Sequence, residues 1–159
     1  MNIVFFLIVL LLLLSIVLVA FWFWKRIAGK YKVIIIVIPL VVVLAYGGTY
    51  IPHKVVSIDP ADVSKIYIFD GNTGYDFEIT DKDDIDHIIN NLNEITFQKG
   101  KLAFMYMGFS FNTTIYEKKG KVIKELTINS NDTIRYNGFF YTSTDKPIDY
   151  DYIAQLVRK

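Results

Sequence analysis

An acidic cluster beside a histidine is the first candidate for chemistry in this sequence. Asp81, Asp83, Asp84 and Asp86 precede His87, and on a helix Asp83 and Asp84 would share a face with His87. Carboxylates and an imidazole on one face can bind a metal ion or transfer protons. The same residues are typical of a helix start, where Asp81 caps free N–H groups and nearby acids interact favourably with the helix dipole. We favour the helix start and predict no metal site.

The segment Asp70-Gly-Asn-Thr-Gly-Tyr-Asp76 is a second candidate, because it has oxygen ligands at alternate positions. An EF-hand calcium loop requires a glycine at its sixth position and a bidentate glutamate at its twelfth. Here the glycines are second and fifth, and the twelfth residue is Asp81. A tight hairpin turn explains the segment without a metal ion, so we predict no cofactor.

Nucleophilic catalysis has few candidates in this chain. Ser110 lies in Gly108-Phe-Ser-Phe-Asn112, which lacks the second glycine of a nucleophile elbow. The absence of cysteine excludes disulfides, thiol catalysis and thiolate metal sites. Besides His87, the remaining histidine is His53, which stands alone after the apolar N-terminal third. No phosphate-binding or zinc-protease motif occurs, so the sequence predicts a protein that is not an enzyme.

Aromatic residues on one sheet face are the better candidate for a functional surface. Residues 104–116 alternate in a way that predicts a long strand with one buried face and one face in water. Its buried residues would be Met105, Met107, Phe109, Phe111 and Ile115. We expect exposed tyrosines at Tyr106, Tyr116, Tyr136 and Tyr141, and exposed aromatic side chains are enriched at binding sites. The alternative is that most of these rings belong to the core or are scattered on the surface.

These candidates are positioned by a predicted α+β domain. Runs of β-branched and aromatic residues between turn residues predict strands at 64–69, 75–80, 95–97, 104–116, 122–128, 133–136 and 139–142. Asn137-Gly138 is the strongest hairpin signal, whereas Gly100 and its neighbouring lysines predict a loop. One helix would run from Asp81 to Leu92, burying Ile85, Ile88, Ile89 and Leu92, and a short one would follow Asp149. The order ββα(β)ββββα predicts an antiparallel sheet with helices on one face.

The first third of the chain predicts a transmembrane helical hairpin. Two apolar runs, residues 3–24 and 33–51, flank the basic segment 25–32. The first would span about 33 Å as a helix, which matches a bilayer core, and Pro39 would kink the second. A cleaved signal peptide is the alternative for the first run, but no basic residue precedes it and it is too long. The predicted organisation is a hairpin over 1–51, a linker over 52–62 and a domain over 63–159.

Charge distribution predicts the orientation of this hairpin. The short loop carries Lys25, Arg26, Lys30 and Lys32, so the positive-inside rule places it in the cytoplasm and both chain termini outside. All 16 acidic residues follow residue 58, and with the 13 remaining bases they give the C-terminal part a net charge of −3. A slightly acidic domain with scattered bases is not expected to bind nucleic acid. We predict a two-span protein of the cell membrane, embedded in the lipid bilayer, with its C-terminal domain outside.

Three segments carry a resemblance to a known group of proteins: Ile66-Tyr-Ile-Phe-Asp-Gly-Asn-Thr-Gly74, Asp84-Ile-Asp-His-Ile-Ile-Asn-Asn-Leu92 and Ile134-Arg-Tyr-Asn-Gly-Phe-Phe-Tyr141. Residues 63–157 resemble small extracytoplasmic domains of unknown function in Gram-positive bacteria. The resemblance implies a surface-exposed module and assigns no active-site residues. We therefore expect a membrane-anchored domain that binds or senses something at the cell surface, with a membrane or cell-surface protein as a possible partner. The alternative is an accessory or immunity-type subunit whose transmembrane hairpin packs against a larger membrane complex.

Overall fold

The computed structural model describes Ser15, Leu18, Val19, Phe21 and residues 29–158, and it divides the chain into two compact units between Thr49 and Tyr50. Helix α1, Gly29–Gly48, contains Pro39, and its sequence has no charged residue after Lys32. Its described side chains are those of Ile34 and residues 37–48. Judged on the residues that the structure describes, none of the helices has the length and apolar content needed to cross a membrane.

The predicted transmembrane hairpin lies largely outside the described residues. This holds for nearly all of the first span, 3–24, and for Lys25 and Arg26. Helix α1 begins at Gly29, so the second half of the predicted loop, with Lys30 and Lys32, is helical. The helix ends at Gly48, three residues before the predicted end of the second span. The two spans and their orientation remain predictions.

The second unit contains one antiparallel sheet of seven strands. The strands are β1 Val63–Asp70, β2 Asp76–Ile79, β3 Phe97–Leu102, β4 Phe111–Glu117, β5 Val122–Ile128, β6 Thr133–Tyr136 and β7 Phe139–Ser143. Their spatial order is β2-β1-β4-β5-β6-β7-β3. Helix α2, Lys82–Glu94, connects the two opposite edges of the sheet, and α3, Tyr150–Val157, follows the last strand. The predicted α+β class and the order of elements in this unit are confirmed.

Alternating side chains give the sheet one buried face and one outward face. Ile66, Ile68, Phe111 and Ile115 are fully buried on the inward face of β1 and β4. The four predicted core residues of α2 are buried against this face, and Ile153 of α3 belongs to the same core. Both α2 and α3 therefore cover the inward face, and neither of them covers the outward face of the sheet.

The segment predicted as a linker, 52–62, is instead packed against the domain. His53 pairs with Phe97 in an antiparallel bridge, and Val56 is fully buried. The Asn93 side chain accepts a hydrogen bond from the backbone N–H of Ile58 and donates one to its carbonyl oxygen. Pro52 and Pro60 favoured a linker, but these long-range contacts outweigh that local signal.

The predicted strand 104–116 is also shorter than expected. Strand β4 begins at Phe111, and Met105, in a left-handed conformation with φ of 65°, is incompatible with a regular strand. Met105 and Met107, predicted to be buried, are strongly exposed. The predicted loop around Gly100 lies within β3 instead. Both neighbouring lysines lie against aromatic rings: the ammonium group of Lys99 is 3.8 Å from the centre of the Phe139 ring, and that of Lys101 is 4.4 Å from the centre of the Tyr106 ring.

Candidate functional site

An open cleft of about 740 Å³ lies on the outward face of the sheet. One wall is formed by residues 103–110, a segment that we call the strap. The strap leaves the end of β3, passes over the outward face and enters β4. At its start, the N–H of Ala103 donates to the carbonyl oxygen of Gly138 at 2.8 Å. At its end, the carbonyl oxygen of Ser110 accepts a hydrogen bond from the N–H of Gly71 at 2.7 Å.

The floor of the cleft is polar. It consists of outward-facing side chains from three neighbouring strands: Asn112, Thr114, Glu125, Thr127 and Arg135. Thr114 and Glu125 are direct neighbours across β4 and β5. The Thr127 hydroxyl donates to the Asn112 side-chain oxygen at 2.8 Å. Alternation along the strands places these residues opposite the buried core, so the floor presents hydroxyl groups, an amide and a carboxylate.

Arg135 fixes the middle of the strap. Its Nη1 donates to the carbonyl oxygen of Tyr106 at 2.8 Å, and its Nη2 donates to that of Gly108 at 2.7 Å. These strap carbonyls have no strand partner, and the planar guanidinium can satisfy both at once. Nε of the same side chain donates to Asn129 at 3.3 Å. The wall of the cleft is therefore held in place by a residue of its floor.

The far end of the strap is held by close packing against the β1–β2 turn. A Cβ atom at Gly71 would lie 2.6 Å from the carbonyl oxygen of Phe109 and equally close to its ring. Only glycine permits this approach without movement of the backbone. The ring of Phe109 also contacts that of Phe69, with 6.0 Å between their centres.

Asp70, next to Gly71, stabilises this end of the domain through a buried ion pair. Its carboxylate is fully buried and accepts a hydrogen bond from Nε of Arg158 at 2.8 Å. The backbone and side chain of Asn72 donate two more. Burial raises the pKa of Asp70, but the hydrogen bonds from Arg158 and Asn72 outweigh burial and lower it to about 2. The segment that resembles a calcium loop thus forms the β1–β2 hairpin, and its first carboxylate binds an arginine.

The acidic cluster forms a helix start, as predicted. Asp81 caps α2 by accepting hydrogen bonds from the N–H groups of Asp83 and Asp84. His87 Nε2 lies 2.8 Å from a carboxylate oxygen of Asp149, and the hydroxyl of Tyr152 donates to Asp84 at 2.5 Å. These contacts join α2 to α3. In the part of the chain that the structure describes, no acidic or histidine side chains are grouped in a way that could hold a metal ion.

The remaining catalytic candidates make local structural contacts. The hydroxyl of Ser110 donates to the carbonyl oxygen of Asn129 at 3.1 Å. His53 Nδ1 lies 2.9 Å from the carbonyl oxygen of Ile51, and its ring meets that of Tyr141 edge to face. Ser110 and His53 are therefore not brought together.

The four tyrosines of the predicted binding surface do not lie on one surface. Tyr106 is half-exposed, lines the cleft and accepts a hydrogen bond from Lys101 at 2.8 Å. Tyr116 faces outward beside Lys65 but lies outside the cleft. Tyr136 borders the cleft but packs against the core, and Tyr141 is buried in that core. Tyr141 points inward because it pairs with the core residue Ile134.

The sequence did not identify the polar floor. Arg135, Glu125 and Thr127 occupy outward positions of short strands, and such residues are ordinary on a solvated face. The alternation of side chains could have shown that these residues face outward. Only the register between the strands, which the sequence does not reveal, makes them neighbours. No family model, curated protein or solved structure matches this chain. The resemblance of residues 63–157 to extracytoplasmic domains therefore stays a prediction.

Proposed function

We propose that this protein is a membrane-anchored, non-enzymatic binding protein whose extracytoplasmic domain holds a small polar ligand in the cleft beside the strap. The observation that carries the proposal is the cleft itself. Its volume of about 740 Å³ falls within the range of small-molecule sites. It also combines a polar floor with an apolar wall, and this combination is typical of such sites.

The charges of the cleft indicate the chemistry of the ligand. Arg135 already binds two carbonyl oxygens of the strap, so its guanidinium is not offered to a ligand. Among the described residues, Glu125 makes no ion pair, and the adjacent Thr114 can donate or accept a hydrogen bond. The ligand that fits best carries hydroxyl or ammonium groups for the floor and an apolar part for Tyr106 and Met107.

The anchoring part of the proposal rests on the N-terminal third. From residue 33 to residue 48 the sequence of α1 has no charged residue and no polar stripe, a pattern typical of helices surrounded by lipid or by other protein. The bases at 25–32 and the acids that all follow residue 58 favour a cytoplasmic loop and an outer domain. We propose on these grounds that the two apolar runs cross the membrane and the second unit lies outside.

Ligand binding can be tested by ligand-observed NMR on the full chain in lipid nanodiscs. The probes are a panel of monosaccharides, amino acids and dipeptides. We expect saturation transfer to at least one class, and its loss in Thr114→Trp, because the indole fills the cleft. Thr142→Trp, on an exposed position of β7 outside the cleft, is the matched control. Equal signals from both variants would contradict the proposed site, and no signal from the wild-type chain would contradict this ligand class.

The topology can be tested because the chain has no cysteine. A single cysteine is introduced at Tyr75, an exposed residue of the β1–β2 turn, or at Gly29. A membrane-impermeant maleimide is then added to intact protoplasts. We expect Tyr75→Cys to react without lysis and Gly29→Cys to react only after lysis. The reverse pattern would refute the outer location of the domain.

A further inference from the structure

The strap and the end of β3 expose an unusual group of large apolar side chains. Their exposed fractions are 55% for Leu102, 76% for Phe104, 82% for Met105, 50% for Tyr106 and 88% for Met107. Single exposed apolar residues are common, but a contiguous group of this size marks an interaction surface. The strap backbone is fixed by Arg135, so these side chains are presented from a defined scaffold.

This apolar group lies near the place where the chain enters the domain. His53 pairs antiparallel with Phe97, and the Gln98 side chain donates to the carbonyl oxygen of Tyr50. Because this pairing is antiparallel, the residues that precede His53 lie beside the residues that follow Phe97. Tyr50 is the first residue of the domain, and its ring lies 5.2 Å from the Lys99 ammonium group. The strap begins four residues after Lys99, which is about 13 Å along a strand.

We infer that Phe104 and Met105 of the strap insert into the interfacial region of the bilayer. This inference rests on the proposed anchoring, because the bilayer is the one that α1 would cross. Apolar and aromatic side chains next to a lysine are typical of the membrane interface. Lys101 lies at the base of the strap, bonded to the hydroxyl of Tyr106, where its ammonium group can meet lipid phosphate. The strap would then be a second membrane contact that fixes the cleft close to the lipid surface.

The test uses the full chain reconstituted in vesicles of phosphatidylcholine and phosphatidylglycerol. An environment-sensitive nitrobenzoxadiazole label is attached to a single introduced cysteine at one of three positions. Met105→Cys reports on the strap and Val42→Cys on the proposed second span. Tyr75→Cys is a control at the β1–β2 turn, where the native side chain is also strongly exposed. Quenching by lipids with a nitroxide on the acyl chain shows which labels contact the bilayer interior.

We expect the emission of the labels at 42 and 105 to fall by about half or more, and that of the label at 75 to stay unchanged. Quenching at 42 without quenching at 105 would overturn the strap inference and leave the anchor intact. Quenching at neither position would overturn both. A blue shift at 105 without quenching would mean that protein, such as a second copy of this chain, covers the strap, and it would overturn the assignment to lipid. Circular dichroism matching the wild type confirms that each labelled chain is folded.

Discussion

Replacing Asp70 with asparagine tests whether one buried carboxylate stabilises the end of the domain that holds the strap. The folded protein lowers the pKa of Asp70 from 3.8 to about 2, because Arg158 and Asn72 bind the charged form more strongly than burial disfavours it. This depression corresponds to about 2 kcal/mol of folding free energy at neutral pH. Asp70→Asn removes the charge and leaves Arg158 without its carboxylate. We therefore expect the variant to be less stable by about 2 kcal/mol at pH 7.

The pH dependence gives this prediction a second test. Because the pKa of Asp70 is lower in the folded than in the unfolded chain, its stabilising effect is fully present above about pH 4. That effect is lost progressively as the pH falls through about 2. The difference between wild type and Asp70→Asn should therefore shrink between pH 4 and pH 2.

The measurement is urea unfolding of the full chain in detergent micelles, followed by circular dichroism at pH 7, 4 and 2.5. A thermal scan at pH 7 should show a midpoint lower by roughly 8 °C for a domain of this size. Glu94→Gln is the matched control, because its ion pair with Lys146 is just as short, at 2.6 Å, but more than half exposed. It should cost much less stability than Asp70→Asn, because solvent screens an exposed ion pair. Equal losses in the two variants, or a difference for Asp70→Asn that is as large at pH 2.5 as at pH 7, would refute the reasoning.

Three further substitutions test the other contacts. Gly71→Ala should lower the free energy of unfolding, measured in urea, by about 1–3 kcal/mol, because the methyl group would overlap the carbonyl of Phe109. Gly108→Ala is the control and should leave it unchanged, because a Cβ atom there has no neighbour within 4 Å. Arg135→Gln should speed hydrogen exchange of the strap amides about tenfold or more, while the exchange of the α2 amides stays unchanged. Unchanged exchange rates in the strap would show that Arg135 does not hold it. Tyr152→Phe should lower the urea midpoint, since it removes the hydrogen bond to Asp84 of α2, and an unchanged midpoint would contradict that role.

The elements that the sequence predicted well are those specified by local chemistry. The start of α2 needs only the cap at Asp81 and a buried stripe with helical spacing, and both are contained within one segment. The β6–β7 hairpin likewise follows from Asn137-Gly138, whose backbone has positive φ at both residues. In these cases the information that decides the structure lies within a few neighbouring residues.

The errors occur where a distant contact decides the structure. Alternation in residues 104–116 favoured a strand, but Arg135 binds the strap carbonyls from more than 25 positions further along the chain. Prolines favoured a linker at 52–62, but Asn93 binds Ile58 from α2. Tyr141 was expected among the exposed tyrosines, and only its pairing with the core residue Ile134 places it inside. Propensity is a weak guide where tertiary contacts satisfy the backbone.

Fixation of the strap at three points favours a binding site that exists before its ligand arrives. Its start is bonded to the β6–β7 turn, its middle to Arg135 and its end to Gly71. A wall held in this way loses little conformational freedom when a ligand binds, so more of the contact energy is available for affinity. In the proposed membrane contact, the same fixation would present Phe104 and Met105 to the bilayer without first ordering a loop. One segment would thus serve both as the wall of the cleft and as a contact with the bilayer, and this explains why it is apolar although it is exposed.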